Sequence, residues 1–517
     1  QESSNGHLLY AFAHEAFLAF DNGGAVTSFV NSEILELFNK AKVLTDSCVQ
    51  TPDSFIQLRV VVKDIIKFMR VPLLQSLLTE MLNLDSLNLA QLYALALSPP
   101  IVGCDPESYD LLKDNLIDND FNSQNFDFVV AALGKTMNCH GMVCDDLSKN
   151  RVLISGPMGI ALSKLCGEEG DFTAPLAGYV SGTDVRQTAY LDRDILDIRL
   201  LMEQGSINGA KEIYQYGYNS KKADLFESFQ DIATNRLRDQ QDATRYDMYV
   251  NYFGSDNHAQ EVALAALGGT GKFANADMRQ RESVVVGMLG HQILNLYFWR
   301  LINDAVYQCE TGTNDAVKMW DMGASVLIGS LEGLDRGGTE DGVLWFALAR
   351  DMCDYFSACS GSKDAKINEK MIGLLEDAQS HLALRDCNAT ITIVESIEKL
   401  YPVPYIQAIL HFATANEPLT AGSADTALAA GYVASEAILP LIHAVDQDSA
   451  AVISTNLAFD PSKKPVSSGA QAVYTAIKNV LGPMGVDCDE VGQHKDVAYA
   501  NICKIAEVEK KPETNTQ

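Results

Sequence analysis

The chain of 517 residues is too long for a single hydrophobic core, and its 47 % hydrophobic and 21 % charged residues are typical of a globular protein rather than a disordered one. Its formal net charge is −29, from 68 acidic and 39 basic residues. Such a surface repels phosphate backbones and anionic lipids, so we expect neither nucleic-acid binding nor peripheral membrane binding.

Hydrophobic residues recur at a helical spacing in almost every long segment, which predicts an all-α protein. No apolar run reaches the length of about 18 residues that a membrane-spanning helix requires, so we expect no transmembrane segment. The polar run 118–127 is interpreted as a linker, and the Gly-, Pro- and Thr-rich stretch 155–183 as a connection between domains. The predicted helices are 6–20, 35–43, 55–69, 72–83, 87–97, 105–116, 190–204, 210–217, 224–236, 242–253, 278–309, 313–333 and 342–356.

A helix over 313–333 would carry Trp320 in its buried stripe and two acids, Asp321 and Glu332, at the edge of that stripe. Two interpretations of these acids stay open. They lie at the solvent boundary or pair with nearby basic residues, or one of them binds a cation. They cannot bind the same ion, because eleven residues at a rise of about 1.5 Å separate them by about 16 Å.

The last third of the chain repeats the first part in the same order. The segment 71–78 (VPLLQSLL) matches 403–410 (VPYIQAIL), and 141–146 (GMVCDD) matches 485–490 (GVDCDE). We therefore predict duplicated helical-bundle domains that flank a central helical domain, followed by a polar tail. The predicted ranges are 1–170 for the first copy, 171–342 for the central domain, 343–505 for the second copy and 506–517 for the tail.

The chain has eleven cysteines and begins at Gln1 without an initiator methionine. This start is typical of a secreted protein after removal of a signal peptide, or of an arbitrary boundary. In a secreted chain, the cysteines predict disulfides with at least one thiol left over. The repeated Gly-x-x-Cys-Asp-acid segments predict the pairs Cys144–Cys166 and Cys488–Cys503. The sequon at Asn388 predicts an N-glycosylation site.

The range 190–505 contains the motifs 213–220 (IYQYGYNS), 252–254 (YFG), 272–277 (KFANAD), 320–321 (WD), 329–333 (GSLEG) and the pair Cys353 and Cys359. These motifs resemble those of the low-iron-inducible periplasmic proteins of algae, an iron-assimilation family that includes the phytotransferrins. The resemblance implies a secreted or cell-surface protein that assists iron uptake, together with a cell-surface partner that takes the iron onward. For phytotransferrins it further implies ferric ion bound with carbonate and an α/β fold, whereas the periodicity here predicts helices.

Ferric ion prefers phenolate, carboxylate and imidazole ligands, and the central region contains all three. A carbonate ion would need arginine or backbone N–H donors, for which Arg281 and Arg336 are candidates. The alternative is that the tyrosines serve amphipathic packing, the acids are solvated, and the histidine is a satisfied core residue. The candidate metal ligands are Tyr214, Tyr218, Asp194 with its neighbour Asp192, Asp321, Glu332 and His291.

Two other classes of function remain. A structural or interaction protein of the cell surface could use the same helices and acidic exterior without any metal. A hydrolase is not expected, because the sequence has no HExxH or GxSxG motif and no phosphate loop. Binding of ferric ion in the presence of carbonate separates the iron-binding protein from the structural one.

Overall fold

A computed structural model of the chain divides into two compact units, residues 1–172 and 173–517. The all-α class predicted from the sequence is confirmed. The predicted domains 171–342 and 343–505 lie together in the second unit. The described residues are 9–20, 28–47, 52–83, 87–118, 125–142, 144–147, 156–166, 176–222, 225–239, 242–313, 315–333, 336–338, 342–360, 364–422, 425–460 and 462–495.

The first unit is a bundle in which α3 packs against α1, α2 and α4, and α6 packs against α8. Its core contains apolar side chains from all of these helices, including Phe20, Leu77, Leu97 and Leu133. A disulfide joins Cys104 to Cys139. The helices are α1 (Leu9–Phe20), α2 (Phe29–Ser47), α3 (Pro52–Leu82), α4 (Leu87–Cys104), α5 (Pro106–Leu112), α6 (Phe126–Thr136), α7 (Cys144–Leu147) and α8 (Gly156–Cys166).

The second unit has one hydrophobic core that extends from Leu176 to Val491 in the sequence. Its β structure in the described residues is limited to the antiparallel pair β1 (Lys221–Lys222) and β2 (Leu225–Phe226) and two isolated bridges. Its helices are α9 (Arg186–Ala189), α10 (Leu191–Glu203), α11 (Ile207–Tyr216), α12 (Phe229–Asp231), α13 (Thr244–Phe253), α14 (His258–Gly268), α15 (Met278–Met288), α16 (Leu294–Thr311), α17 (Ala316–Ile328), α18 (Trp345–Tyr355), α19 (Lys366–Ala383), α20 (Cys387–Leu400), α21 (Val403–Asn416), α22 (Thr426–Val445), α23 (Gln447–Asn456), α24 (Ala470–Leu481) and α25 (Cys488–Val491).

The centre of the second unit is the long apolar element predicted at 278–309. It consists of α15 and α16 joined by a π-helical turn, Leu289–Ile293. Because its residues are apolar nearly all round, it packs against α17 on one side and α22 on another. Among the described helices, α22 is long and apolar enough to cross a membrane, but 72 % of its most apolar window is buried inside the protein, as is typical of a core helix.

Several predicted helix boundaries are wrong. The predicted helices 55–69 and 72–83 are one helix, α3, with Pro72 inside it, and the segment predicted as a helix over 224–236 begins with β2. The predicted break at Pro99 and Pro100 does not end a helix, because α4 continues through both prolines to Cys104. The predicted helix over 313–333 ends earlier, at Ile328. Gly329 follows with a φ of 92°, which turns the chain out of the helix before Glu332 is reached.

Both units contain the same buried contact at positions that the predicted repeat aligns. In the first unit, Gln75 Nε2 on α3 donates to the carbonyl of Leu147 on α7 at 2.7 Å. In the second, Gln407 Nε2 on α21 donates to the carbonyl of Val491 on α25 at 2.8 Å. The duplication of the domain stays a prediction.

Candidate metal-binding site

Four of the buried acidic side chains in the second unit lie on α10, on α17 and just after α17. Asp192 is 1 % exposed, and Asp194, Asp321 and Glu332 are fully buried. A buried carboxylate is costly unless hydrogen-bond donors surround it, so the partners of each acid show what it does. The expectation that Asp321 and Glu332 lie at the edge of the buried face is therefore wrong.

Asp321, in the middle of α17, accepts hydrogen bonds from three neutral side chains. Its Oδ1 accepts from Tyr179 Oη and from Gln379 Nε2, both at 2.6 Å, and its Oδ2 accepts from Thr183 Oγ1 at 2.8 Å. Burial raises the pKa of Asp321, although these hydrogen bonds oppose the shift. We call Tyr179, Thr183, Asp321 and Gln379 the Asp321 cluster.

A tight turn positions Tyr179 in this cluster. Leu176 and Tyr179 exchange two backbone hydrogen bonds, of 2.9 and 2.8 Å, and Ala177 and Gly178 between them have positive φ angles of 48° and 85°. A positive φ is unfavourable for alanine, so the surrounding structure must impose it. The N–H of Ala177 donates to the carbonyl of Gly333 at 2.7 Å, which fixes the turn to the segment after α17.

Charged side chains lie next to the cluster. Burial, the nearby Asp321 and, to a lesser extent, Glu376 raise the pKa of Tyr179 well above its usual range, so the phenol keeps its proton at neutral pH. Glu376 lies one turn before Gln379 on α19, and both its oxygens accept from Arg336 Nη2 at 2.8 Å. Asp321 was predicted to bind a cation, and Arg336 was predicted to bind an anion. Their partners on α19, Gln379 and Glu376, are one turn apart, so the two side chains contact neighbouring positions of this helix.

The cluster lies one layer beneath the surface. Gly182 is exposed and covers the carboxylate, because a Cβ added there would lie 3.6 Å from Asp321 Oδ2. Thr183 is only partly buried, and Val180 is 55 % exposed. An ion could thus reach the cluster by displacement of a short surface segment.

Asp192 and Asp194 each stabilise a turn of the backbone. Asp192 Oδ2 accepts from the N–H of Leu331 at 2.8 Å. Asp194 accepts from the N–H groups of Tyr218 and Asn219, at 3.1 and 2.7 Å. Tyr218 follows the end of α11, and 36 % of its surface is exposed. These two carboxylates therefore bind separate chain segments rather than a common centre.

Glu332 fits into a space that glycines leave open. An added Cβ would lie 2.1 Å from Glu332 Oε2 at Gly338 and 1.4 Å from Oε1 at Gly342, so neither glycine can be replaced without moving this side chain. The carboxylate of Glu332 is thus enclosed by its own following segment.

Tyr214 and His291 lie apart from these acids. Tyr214 donates to Gln260 Oε1 at 2.9 Å, and burial raises the pKa of its phenol. His291 is in the π-helical turn, its ring is 5.7 Å from that of Tyr405, and it lines a cleft of about 750 Å³. Burial lowers the pKa of His291 to about 4, so its imidazole is neutral at physiological pH.

The predicted ligands are therefore not gathered around one point. Within the described part of the chain, no group of three or more histidine, cysteine, aspartate or glutamate side chains is arranged to hold a metal ion. The pair formed by a phenol and a carboxylate, Tyr179 and Asp321, brings two oxygen donors together.

The two arginines predicted to bind an anion both have protein partners. Arg281 caps the end of α14, where its Nε donates to the carbonyl of Ala266 at 2.7 Å and its Nη2 to that of Leu267 at 2.6 Å. Arg336 pairs with Glu376, and 51 % of its side chain is exposed. Of the two, Arg336 can exchange its partner more easily.

Disulfides support a secreted protein. Cys353 pairs with Cys359, which is only six residues away in the sequence, and Cys309 pairs with Cys387. Cys166 and Cys488 are also disulfide-bonded. Their predicted partners, the side chain of Cys144 and the residue Cys503, lie outside the described residues, so these two pairings stay predictions. Asn388 is exposed in the first turn of α20, as a glycosylated residue must be.

Sequence reasoning missed Tyr179, Thr183, Glu376 and Gln379. Tyr179 and Thr183 lie in the stretch interpreted as a connection, where no periodic pattern marks a buried side chain. Glu376 and Gln379 lie on an amphipathic helix and look like surface residues there. The one signal in the sequence was that Asp321 follows a tryptophan that must be buried. A carboxylate buried beside it needs several hydrogen-bond donors from other parts of the chain.

Comparison with known proteins gives one match. A family model described as low iron-inducible periplasmic protein matches residues 165–505, which include every residue of the Asp321 cluster. No curated protein and no solved structure matches the chain.

Proposed function

The chain belongs to the family of low iron-inducible periplasmic proteins, and from this premise we propose that it binds ferric ion, together with carbonate, at the Asp321 cluster. The coarser function, iron assimilation outside the plasma membrane, follows from the family. The ion is the protein's cargo, which it passes to a partner at the cell surface.

The hydrogen bond between Tyr179 and Asp321 carries this proposal. The two oxygens are 2.6 Å apart and share one proton. Ferric ion is a hard cation that prefers phenolate and carboxylate oxygens, and the hydroxyl of Thr183 adds a further oxygen atom within the same cluster. A ferric ion would replace the shared proton and bind both oxygens.

Glu376 and Arg336 would complete the site. Glu376 is one turn from Gln379 on α19 and can supply a second carboxylate if it leaves Arg336. The guanidinium of Arg336 would then be free to bind carbonate through paired hydrogen bonds. An anion of this kind would fill coordination positions and offset part of the charge of the ferric ion.

Acid should weaken the binding. Burial raises the pKa of both Tyr179 and Asp321, so protons compete with the ion for these oxygens. Affinity must fall as pH falls, because the ligands have to lose protons to bind.

The test is a titration of the purified protein with a soluble ferric chelate in bicarbonate buffer. Tyrosinate bound to ferric ion gives a visible charge-transfer band, and we expect Tyr179→Phe to abolish it. Asp321→Asn should weaken binding by about tenfold or more. Arg336→Gln should weaken binding only when bicarbonate is present.

Tyr214→Phe is the matched control, because it removes another buried phenol of the second unit that donates to a neutral amide. It should leave the band and the affinity unchanged. If Tyr214→Phe abolishes the band and Tyr179→Phe does not, the ion is bound by the ligands predicted from the sequence. If the protein takes up no ferric ion at all, the proposed function is wrong. A structural role at the cell surface, without a metal, then becomes the better explanation.

A further inference from the structure

Two histidines from separate segments meet in the second unit, in a place that the proposed function does not use. His411 lies on α21, and His494 follows α25. His411 Nδ1 is 3.2 Å from His494 Nε2. His494 is only 2 % exposed, whereas His411 is partly buried.

Backbone contacts fix both rings. The segment that carries His494 pairs with the end of α18, because the N–H of Gln493 donates to the carbonyl of Phe356 at 3.2 Å and that of Lys495 to the carbonyl of Tyr355 at 2.9 Å. One turn before His411, Gln407 holds the carbonyl of Val491, as described above. The separation of the two nitrogens is thus set by α18, α21 and the chain after α25, and not by the histidines alone.

This separation suits a metal ion. Two histidine nitrogens that bind one tetrahedral zinc ion are about 3.3–3.4 Å apart, because each Zn–N bond is about 2.0–2.1 Å long. A shared proton holds the nitrogens at a similar distance. Small rotations of the two rings would let a cation take the place of that proton, as proposed for the ferric ion at Asp321.

One member of the histidine pair, His411, is partly exposed to solvent. The ring of Tyr355, a residue that is 39 % exposed, lies 3.8 Å from that of His411. Water can therefore reach the histidine pair and complete the coordination. Imidazole nitrogens favour borderline divalent ions such as zinc and copper, whereas ferric ion favours oxygen ligands.

We propose that His411 and His494 form a second metal site, which binds a borderline divalent cation of the zinc or copper type. Its chemistry differs from that of the Asp321 cluster, so the two sites are selective for different ions. The proposal does not depend on the binding of ferric ion.

The probes are zinc, measured by titration calorimetry, and cobalt(II), measured by its visible absorption, both in excess magnesium so that the acidic surface is occupied by another cation. We expect one zinc ion per chain and a cobalt spectrum typical of tetrahedral coordination by two imidazole nitrogens and water oxygens. Lowering the pH to protonate the imidazoles should release the ion.

His411→Gln is the main variant, because His411 is partly exposed and its replacement should leave the fold intact. It should weaken zinc binding by about tenfold or more. His494→Gln should do the same, with its far-UV spectrum and thermal unfolding measured to show that it is folded. His381→Gln is the control, since His381 is on the surface of α19, where 40 % of its side chain is exposed.

Zinc binding that is equally strong in wild-type protein and in both variants would overturn the proposal, as would the absence of a zinc site in the wild type. Loss of zinc binding in His381→Gln alone would also overturn it. Zinc binding by protein already loaded with ferric ion would show that the two sites are separate.

Discussion

Burial makes the carboxyl group of Asp192 hold its proton more strongly than it does in water. Its pKa rises from the usual 3.8 to about 6, even though Arg193 and three hydrogen-bond donors favour the ionised form. Between pH of about 4 and about 6, the native state therefore binds more protons than the unfolded state. The contribution of this residue to the free energy of unfolding must therefore fall as pH rises through that interval.

The first residue-scale prediction concerns this slope. Asp192→Asn has no proton to lose, so the stability of the wild type relative to the variant should drop by about 3 kcal/mol between pH of about 4 and about 6. Chemical denaturation at a series of pH values measures the difference. Glu395→Gln, at an exposed position of α20, should show no such drop. A constant difference between wild type and Asp192→Asn would contradict the expected proton uptake.

Individual site residues were only partly predictable. Asp321 was identified because it follows a tryptophan that must be buried. Tyr179 was not, because its position depends on a turn in which Ala177 adopts a positive φ, and nothing in the sequence marks that turn. A side chain brought to a site by a nonperiodic segment leaves no pattern for sequence reasoning to detect.

At the scale of elements, the packing of α15 against α22 depends on one glycine. A Cβ added at Gly287 would lie 2.3 Å from Val433 Cγ1, which is far too close. Glycine in the middle of a helix normally costs about 1 kcal/mol relative to alanine, so its presence here reflects the close approach of the two helices.

Gly287→Ala should therefore destabilise the protein by about 1–3 kcal/mol despite the higher helix propensity of alanine. Val433→Ala removes the two methyl groups that clash, so the double variant should be more stable than the sum of the single effects predicts. Denaturation of all four proteins gives this coupling. Gly373→Ala on α19, where an added Cβ meets nothing within 4 Å, should instead stabilise by about 0.5–1 kcal/mol. Equal effects at Gly287 and Gly373 would contradict the close-packing explanation.

Helix positions were predictable and helix ends were not. The periodic pattern identified α10, α13, α16 and α18 because each buries one face. The end of α17 was predicted at Gly333, a glycine with the expected positive φ, but the helix stops at Gly329, which has one as well. The choice between two glycines is made by Asp192, whose carboxylate binds the N–H of Leu331, and such a long-range contact is not visible in local sequence.

At the scale of the whole molecule, the two units have separate hydrophobic cores. The core of residues 1–172 includes side chains from Ala13 to Leu165, and that of residues 173–517 includes side chains from Leu176 to Val491. The disulfides Cys104–Cys139, Cys309–Cys387 and Cys353–Cys359 each lie within one unit. The family match covers 165–505 and thus includes nearly all of the second unit.

We expect residues 173–517, expressed alone under oxidising conditions, to fold and to keep the ferric charge-transfer band. Far-UV circular dichroism and the ferric titration described above measure the two properties. The corresponding fragment 1–172 should be helical but should show no band. An unfolded 173–517 fragment would show that its core is not sufficient for folding. A charge-transfer band in the 1–172 fragment would contradict the proposed location of the site in the second unit.

Fold class was predictable at this scale because helical periodicity is repeated in nearly every segment, so individual errors do not change the outcome. The joining of 171–342 and 343–505 into one unit was not, because Trp299 on α16 and Tyr401 after α20 lie about a hundred residues apart and touch only in the folded core. Their ring centroids are 5.3 Å apart.

The hydrogen bond between Tyr179 and Asp321 has a consequence for whether one protein molecule can be used repeatedly. In zinc fingers the metal completes the fold, so its removal unfolds the protein. Here a proton takes the place proposed for the ion, and the buried carboxylate stays satisfied when the cargo leaves. If the proposed site holds ferric ion, an emptied molecule is therefore ready to bind again, and one copy can deliver more than one ion.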